Sequence, residues 1–252
     1  MKVKISKEDT KKGNLILVNS NYPLTHFPME KSMTTILIGD REILLNHQAA
    51  TILEQLLESL HYKGEIVAVS GFRSQEEQEE IWNMSIQKEG IEYTNKFVAV
   101  PGHSEHQTGL AVDLAKAQKQ IDNVCPDFPR TGFCDKFRQI APKYGFIERY
   151  IAGKERITGI GEEPWHFRYV GFPHSMIISK LNLVLEEYIE FLKKSTSFNA
   201  PYIYHYSGTD IEISYMQIEA SESLELDIPQ RVPYLISGTN EGGVIVSLWR
   251  ER

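Results

Sequence analysis

Pro101-Gly-His-Ser-Glu-His-Gln-Thr-Gly-Leu-Ala-Val-Asp113 and, further along, Glu163-Pro-Trp-His-Phe-Arg-Tyr-Val-Gly171 are the two stretches that decide how this chain is read. The first places His106 and Asp113 where one metal ion can bridge them. The second supplies His166, three residues after Glu163 in an apolar, strand-like run. A catalytic zinc site takes three His or Asp/Glu ligands and keeps a fourth position open, whereas a structural site is closed by four ligands and favours cysteine. His106, Asp113 and His166 fit the open type. Asp113 lies in the apolar run Leu110-Ala-Val-Asp-Leu114, so strand geometry would hold its carboxylate, and Gly109 lets the backbone turn tightly behind His106. A carboxylate such as Glu163 beside the open position would take a proton from a water whose pKa zinc lowers to roughly 7. On spacing alone, a hydrogen-bonded core histidine stays open as the other reading of each imidazole.

Taken together, Ser104-x-His106-x-x-Gly109-x-Ala111-x-Asp113 and Glu163-x-x-His166 resemble the zinc D,D-peptidases of the VanX, VanY and VanXY group, which cut D-alanyl-D-alanine in vancomycin-type glycopeptide resistance. The bifunctional VanXY type is the nearest match, and the resemblance runs from about Leu15 to about Leu192. It implies an α+β fold: a small, mainly antiparallel sheet with packed helices, on a scaffold shared with hedgehog signalling domains, and a metal site in a cleft on the sheet. It implies one Zn2+ per chain on His106, Asp113 and His166, with Glu163 as general base. Through Gly71-Phe-Arg73 it implies an arginine, Arg73, facing the scissile carbonyl; a surface arginine paired with a nearby glutamate is the alternative. Gln78 matches a substrate-contacting position. The implied partner is the D-Ala-D-Ala dipeptide or the stem peptide of a peptidoglycan precursor.

Three further positions are read beside that pattern. Ser104 is expected to contact substrate, or else to stabilise its own turn. Trp165 is expected to wall the substrate pocket, or else to be buried like most tryptophans. His103 lies outside the pattern and is expected to stay off the metal. Two other functions remain open: a non-catalytic zinc-binding peptide sensor on the same scaffold, and a related cell-wall endopeptidase or L,D-carboxypeptidase. Glu163 and Arg73 together favour an enzyme over a sensor.

With 252 residues, 41% of them hydrophobic, the chain can bury a real core and hold one large domain with a small module. A net charge of -7 argues against a nucleic-acid surface, which needs clustered excess lysine and arginine. The apolar run Leu15-Ile-Leu-Val18 is too short for a signal peptide or a membrane span, so a cytoplasmic location is expected. Cys125 and Cys134 are then expected to be free thiols.

Asn46 reads as an N-cap for an amphipathic helix over 46–62, with Ala49, Ile52, Leu53, Leu56, Leu57 and Leu60 on its inner face. Up to about Asp40 no period is sustained, and that segment is expected to wrap over the core. Ile66–Ser70 reads as a strand, Ser74-Gln-Glu-Glu77 as a capping box opening a second helix, and Phe97–Val100 as another strand. Residues 116–132 read as a loop, Phe133 to Tyr144 as a helix and Phe146–Tyr150 as a strand. Residues 152–162 read as a hairpin loop, and the helical pattern after Pro173 as two helices broken near Asn182. From about Asn199 short β-rich runs follow, with Asn240-Glu-Gly-Gly243 as a hairpin turn. The expected division is a peptidase domain over 1–198 and a small all-β module over 199–252.

Overall fold

The computed structural model describes residues 1–219 and 223–251, so Ala220 to Glu222 and Arg252, part of the expected C-terminal module, lie outside the described residues. In chain order the first elements are β1 (Lys2–Ile5), β2 (Met33–Ile38), β3 (Arg41–Asn46), α1 (His47–Ser59), β4 (Ile66–Ser70), α2 (Gln75–Glu89), α3 (Ile91–Phe97) and β5 (Ala111–Lys116). Then come α4 (Gly132–Ile140), β6 (Phe146–Tyr150), α5 (Glu155–Thr158), β7 (Glu163–Tyr169), α6 (His174–Leu181) and α7 (Leu185–Ser195). Strands β8 (Tyr202–Tyr206), β9 (Thr209–Gln217), β10 (Leu224–Asp227), β11 (Tyr234–Gly238) and β12 (Gly243–Glu251) end the chain. Two compact units result, Val18–Val184 and Met1–Leu17 joined with Leu185–Arg252. The expected boundary at 198/199 falls inside the second of these, because α7 packs on β9 and β1 pairs antiparallel with β10.

The unit Val18–Val184 is built on a four-stranded antiparallel sheet of order β4-β5-β7-β6, as the α+β reading expects. One face of the sheet is apolar. Val112 and Leu114 of β5 and Phe167 and Tyr169 of β7 pack with Ala49, Ala50, Leu53, Leu56 and Leu57 of α1, while Phe137 of α4 meets Phe167 edge-on at 4.9 Å. Each of the valine, leucine and phenylalanine side chains contributes about 1.5–3 kcal/mol by leaving water. The alternate residues, Asp113 on β5 and His166 and Arg168 on β7, point to the other face, which carries the polar cluster.

The caps are where the sequence places them. Asn46 Oδ1 accepts from Gln48 N at 3.0 Å to open α1, and Ser74 Oγ accepts from Glu77 N at 3.1 Å while Glu77 Oε2 accepts from Ser74 N at 2.7 Å to open α2. Two expectations are corrected. The segment up to about Asp40, expected to wrap over the core, ends in a regular strand: β2 and β3 form a hairpin in which Ile38 pairs with Arg41 across Gly39-Asp40, with Gly39 at φ 70°. Phe97–Val100 is not a strand: α3 runs through Phe97, Val98 N closes on Thr94 O, and Ala99 O is taken by the Gln78 side chain rather than by a neighbouring strand.

In the other unit, the short β-rich runs expected after Asn199 are present as strands β8 to β12, and Asn240–Gly242 falls in the β11–β12 connection. Four of the strands make an antiparallel sheet of order β11-β12-β9-β8. Its core joins Ile5 to Ile218, Leu226, Ile228, Val244, Val246 and Leu248. Among the described residues no helix is long and apolar enough to cross a membrane.

Candidate metal centre and active site

Strand register brings the distant residues together. Across the sheet Ser70 of β4 pairs with Asp113 of β5, and Asp113 with His166 of β7. Glu163 and His166, three apart on β7, would face opposite ways on a regular strand. The β6–β7 register shifts between Glu148↔Phe167 and Tyr150↔Glu163, and this bulge turns Glu163 to the His166 side, leaving Oε2 3.7 Å from His166 Nδ1. His106 comes from the 3-10 turn Glu105–Thr108. That turn ends on Gly109 at φ 71°, where a Cβ would lie 2.6 Å from Met33 Sδ, so the tight turn expected behind His106 is present and requires glycine.

His106, Asp113 and His166 are the set among the described residues whose atoms could hold a metal ion, one atom from each lying within 4.8 Å of the others. Hydrogen bonding aims the imidazoles. His106 Nδ1 lies 2.7 Å from Gly71 O, which can only accept, so Nδ1 carries the proton and Nε2 turns a lone pair toward Asp113 Oδ2 at 3.1 Å. His166 Nε2 lies 3.4 Å from Glu105 Oε2, and its Nδ1 lies 3.0 Å from Asp113 Oδ1. Asp113 Oδ1 is buried and accepts no well-aligned hydrogen bond. His106 Nε2, His166 Nδ1 and the Asp113 carboxylate converge on one point, where Arg73 NH2 also reaches Asp113 Oδ2 at 3.2 Å and where, in the metal-free chain, a His166 proton faces Asp113 Oδ1; a metal ion takes the place of that proton, and the His/Asp/His set is of the type zinc takes. The residues therefore fit the metal.

The charges follow from burial and pairing. Burial and the Arg73 charge lower the His106 pKa, so this imidazole is neutral. Burial pushes Asp113 up, but His106 and His166 overcome it and hold the carboxyl well below the usual range. Burial pushes the His166 imidazole down, yet Asp113 and Glu105 beside it raise it to about 9 in the metal-free chain. Glu163 is raised as well, by burial, to about 8.

Arg73 follows β4 and reaches into the same cluster. Its Nε donates to Ser70 Oγ at 2.8 Å, and its NH1 to Gln78 Oε1 at 3.3 Å. A third donor, NH2, bonds Asp113 Oδ2 at 3.2 Å. Arg73, Ser104, His106, Asp113, Glu163, Trp165 and His166 all line one cleft of about 770 Å³. Gln78 is not brought there: wholly buried, it stands behind Arg73 and bonds Ala99 O at 2.8 Å. Trp165 is 8% exposed and serves both readings, core packing and cleft wall. His103 bonds Asn19 O at 2.7 Å and is outside the metal set. Cys125 and Cys134 are free, and Cys125 pairs with the Tyr93 hydroxyl at 3.1 Å.

One group escaped the reading of the sequence. Glu105, next to His106, is fully buried between Arg149 Nε and Arg168 NH1, each 2.8 Å from its Oε1. Burial would raise its pKa, but the two arginines hold it well below the carboxylate range. The available signal was two arginines in the apolar strands Phe146–Tyr150 and Glu163–Tyr169, since buried strands carry charge only when it is paired.

An antiparallel sheet whose polar face gathers a His/Asp/His set, a buried glutamate and an arginine in one cleft defines a metal-dependent hydrolase. The comparisons with known proteins make the class specific. The family model described as VanY, D-alanyl-D-alanine carboxypeptidase, matches residues 42–172. The bifunctional D-Ala-D-Ala dipeptidase and D-Ala-D-Ala carboxypeptidase VanXYC of Enterococcus gallinarum is 40% identical over 73% of this chain and 97% of its own. A solved structure, the vancomycin resistance D,D-dipeptidase VanXYg in complex with a D-Ala-D-Ala phosphinate analog, superposes with TM-score 0.92 at 42% identity, covering 99% of both chains. A VanY D,D-pentapeptidase variant from a VanB-type resistance cassette, solved with Zn(II), matches with TM-score 0.53 at 28% identity over 70% of this chain and 98% of that one. This chain belongs to the VanY family of D-alanyl-D-alanine carboxypeptidases.

Proposed function

We propose that this chain is a zinc D,D-peptidase that hydrolyses the D-Ala-D-Ala bond, as a dipeptidase, a carboxypeptidase of precursor stem peptides, or both. One zinc per chain would sit on His106 Nε2, Asp113 and His166 Nδ1. The observation that carries this is the convergence of their ligand atoms beside Glu163 in the cleft. A zinc ion there supplies a Lewis acid and a water that is nucleophilic at neutral pH, and its charge draws the Glu163 carboxyl below about 8 into the range where it accepts a proton.

The chain's own residues do the rest. Glu163 takes the proton from the attacking water and returns it to the leaving amine. Arg73, held by Ser70 and Gln78, presents its guanidinium to the carbonyl oxygen as negative charge develops there. Gln78 thus acts through Arg73 rather than on substrate. Ser104 and Trp165 line the cleft where the peptide binds. The cytoplasm is the proposed compartment, a reducing one that suits two unpaired cysteines.

The test is a substrate panel. Zinc-loaded protein is given D-Ala-D-Ala, D-Ala-D-lactate, a precursor pentapeptide and a tetrapeptide ending in L-Lys-D-Ala, and released D-Ala is quantified. D-Ala from the dipeptide or the pentapeptide is expected. Release only from a peptide ending in L-Lys-D-Ala would make it an L,D-carboxypeptidase instead, and binding without cleavage would make it a sensor.

A further inference from the structure

We propose that Glu105 is a positioning residue that fixes which nitrogen of His166 faces the metal, and that Arg149 and Arg168 hold Glu105 toward it. The inference rests on the reading of His166 as a ligand through Nδ1. The Glu105 carboxylate is shared out by geometry. Oε1 accepts from Arg149 Nε at 2.8 Å and forms an ion pair with Arg168 NH1 at 2.8 Å, and Oε2 faces His166 Nε2 at 3.4 Å. All three charged side chains are fully buried. A carboxylate can only accept, so Nε2 keeps its proton, and Nδ1, on the side where Asp113 Oδ1 stands at 3.0 Å, is the nitrogen that gives up its proton to a metal.

The ring plane is fixed by the same residues. The Arg149 guanidinium sits 5.0 Å over the Tyr150 ring, and the Tyr150 ring packs 4.8 Å from His166. Arg149 therefore reaches His166 by two routes, through Glu105 and through Tyr150. A stability role alone does not explain this expense, since buried ion pairs are seldom better than apolar packing. Holding one tautomer of one ligand does.

Glu105→Gln inverts the device. Two guanidiniums that only donate will take the amide oxygen, turning the amide NH2 to His166 Nε2. Nε2 must then accept, and the proton moves to Nδ1, the atom needed for zinc. Zinc Kd should rise about 10–100-fold, the range for groups that orient metal ligands. Glu105→Gln also leaves an excess buried positive charge, so Glu105→Gln with Arg149→Met is made beside it. That pair removes one positive charge together with the negative one, so the summed charge of positions 105, 149 and 168 stays as it is in the unaltered chain.

The readouts are zinc affinity by competition with a chelator, the folded state of each metal-free variant, and 15N shifts of the histidine-labelled unaltered protein with zinc. The expected results are weakened zinc binding in any variant that folds, and in the unaltered chain a His166 with Nε2 protonated and Nδ1 on the metal. Wild-type zinc affinity in a folded Glu105→Gln or double variant overturns the proposal. So does a His166 with Nδ1 protonated and Nε2 on zinc, which decides the matter even if neither variant folds. His166→Ala separates the two layers: if it keeps full zinc affinity, the ligand reading itself is wrong, whereas if it loses zinc and Glu105→Gln does not, only the role of Glu105 is wrong.

Discussion

Glu163→Gln isolates proton transfer from every other function of the site. Glutamine fills the volume of the carboxylate and keeps an acceptor oxygen, and loses only the ability to take a proton. The position makes the loss matter: Glu163 Oε2 is 3.7 Å from His166 Nδ1, so the carboxylate abuts the place a shared ion would occupy. Burial also makes the substitution mild for folding. With the Glu163 carboxyl at about 8 in the metal-free chain, the group is mostly neutral at pH 7 and an amide changes little charge. General acid–base groups contribute about 10²–10⁴-fold, or about 3–5 kcal/mol of barrier. We therefore expect kcat and kcat/KM for D-Ala-D-Ala to fall together by that factor, with KM and zinc content close to wild type, because the base acts in the transition state and not in binding. The assay is initial-rate D-Ala release with metal content measured on the same samples. A Gln variant that keeps its zinc and turns over within about tenfold of wild type would refute proton transfer by Glu163.

Arg73→Lys should keep zinc but lose about 10²–10³-fold in kcat, because an ammonium cannot span Ser70 Oγ, Gln78 Oε1 and Asp113 Oδ2 as the guanidinium does; unchanged turnover would remove Arg73 from the reaction. In the metal-free protein the pKa of His166 is raised to about 9 and that of Glu163 to about 8, each above its ordinary value, so each contributes stability that is complete below that ordinary value and is lost as pH rises through the folded one. The metal-free Tm should fall from pH 6.5 to pH 9, and zinc binding over this range should release protons and tighten with pH, as calorimetry in buffers of different ionisation heat would show. A fragment of residues 18–184 should fold and bind zinc, since it is a compact unit with its own core, whereas truncation after residue 198 should lower Tm by leaving α7 without β9 and β1 without β10.

Much of the site is legible because it is local. Asn46, Ser74 and Glu77 cap their helices through bonds spanning two or three residues, so sequence spacing alone determines them. His106 and Asp113 are held by one turn and one strand, and Gly109 between them marks the turn. What resists reading is set by pairing. The bulge that turns Glu163 toward His166 exists only in the β6–β7 register, and the neighbours of Gln78 depend on where Val98 to Val100 run. Glu105 looks like a filler position between Ser104 and His106 until Arg149 and Arg168 arrive from two other strands. The β2–β3 hairpin was readable after all: Ile36-Leu-Ile-Gly-Asp-Arg-Glu-Ile43 carries a two-residue Gly-Asp turn between apolar runs. The pairing of β1 with β10 had no such signal, because it joins the two ends of the chain.

The central claim, that one zinc on His106, Asp113 and His166 makes this chain a D-Ala-D-Ala hydrolase, is tested most directly by titrating metal-free protein with zinc while following D-Ala release from D-Ala-D-Ala. Activity should rise from zero and break at one zinc per chain, and Asp113→Asn and His166→Ala should give flat lines. A rate independent of zinc, or a chain that binds one zinc at these residues and releases no D-Ala from dipeptide or pentapeptide, would contradict the claim.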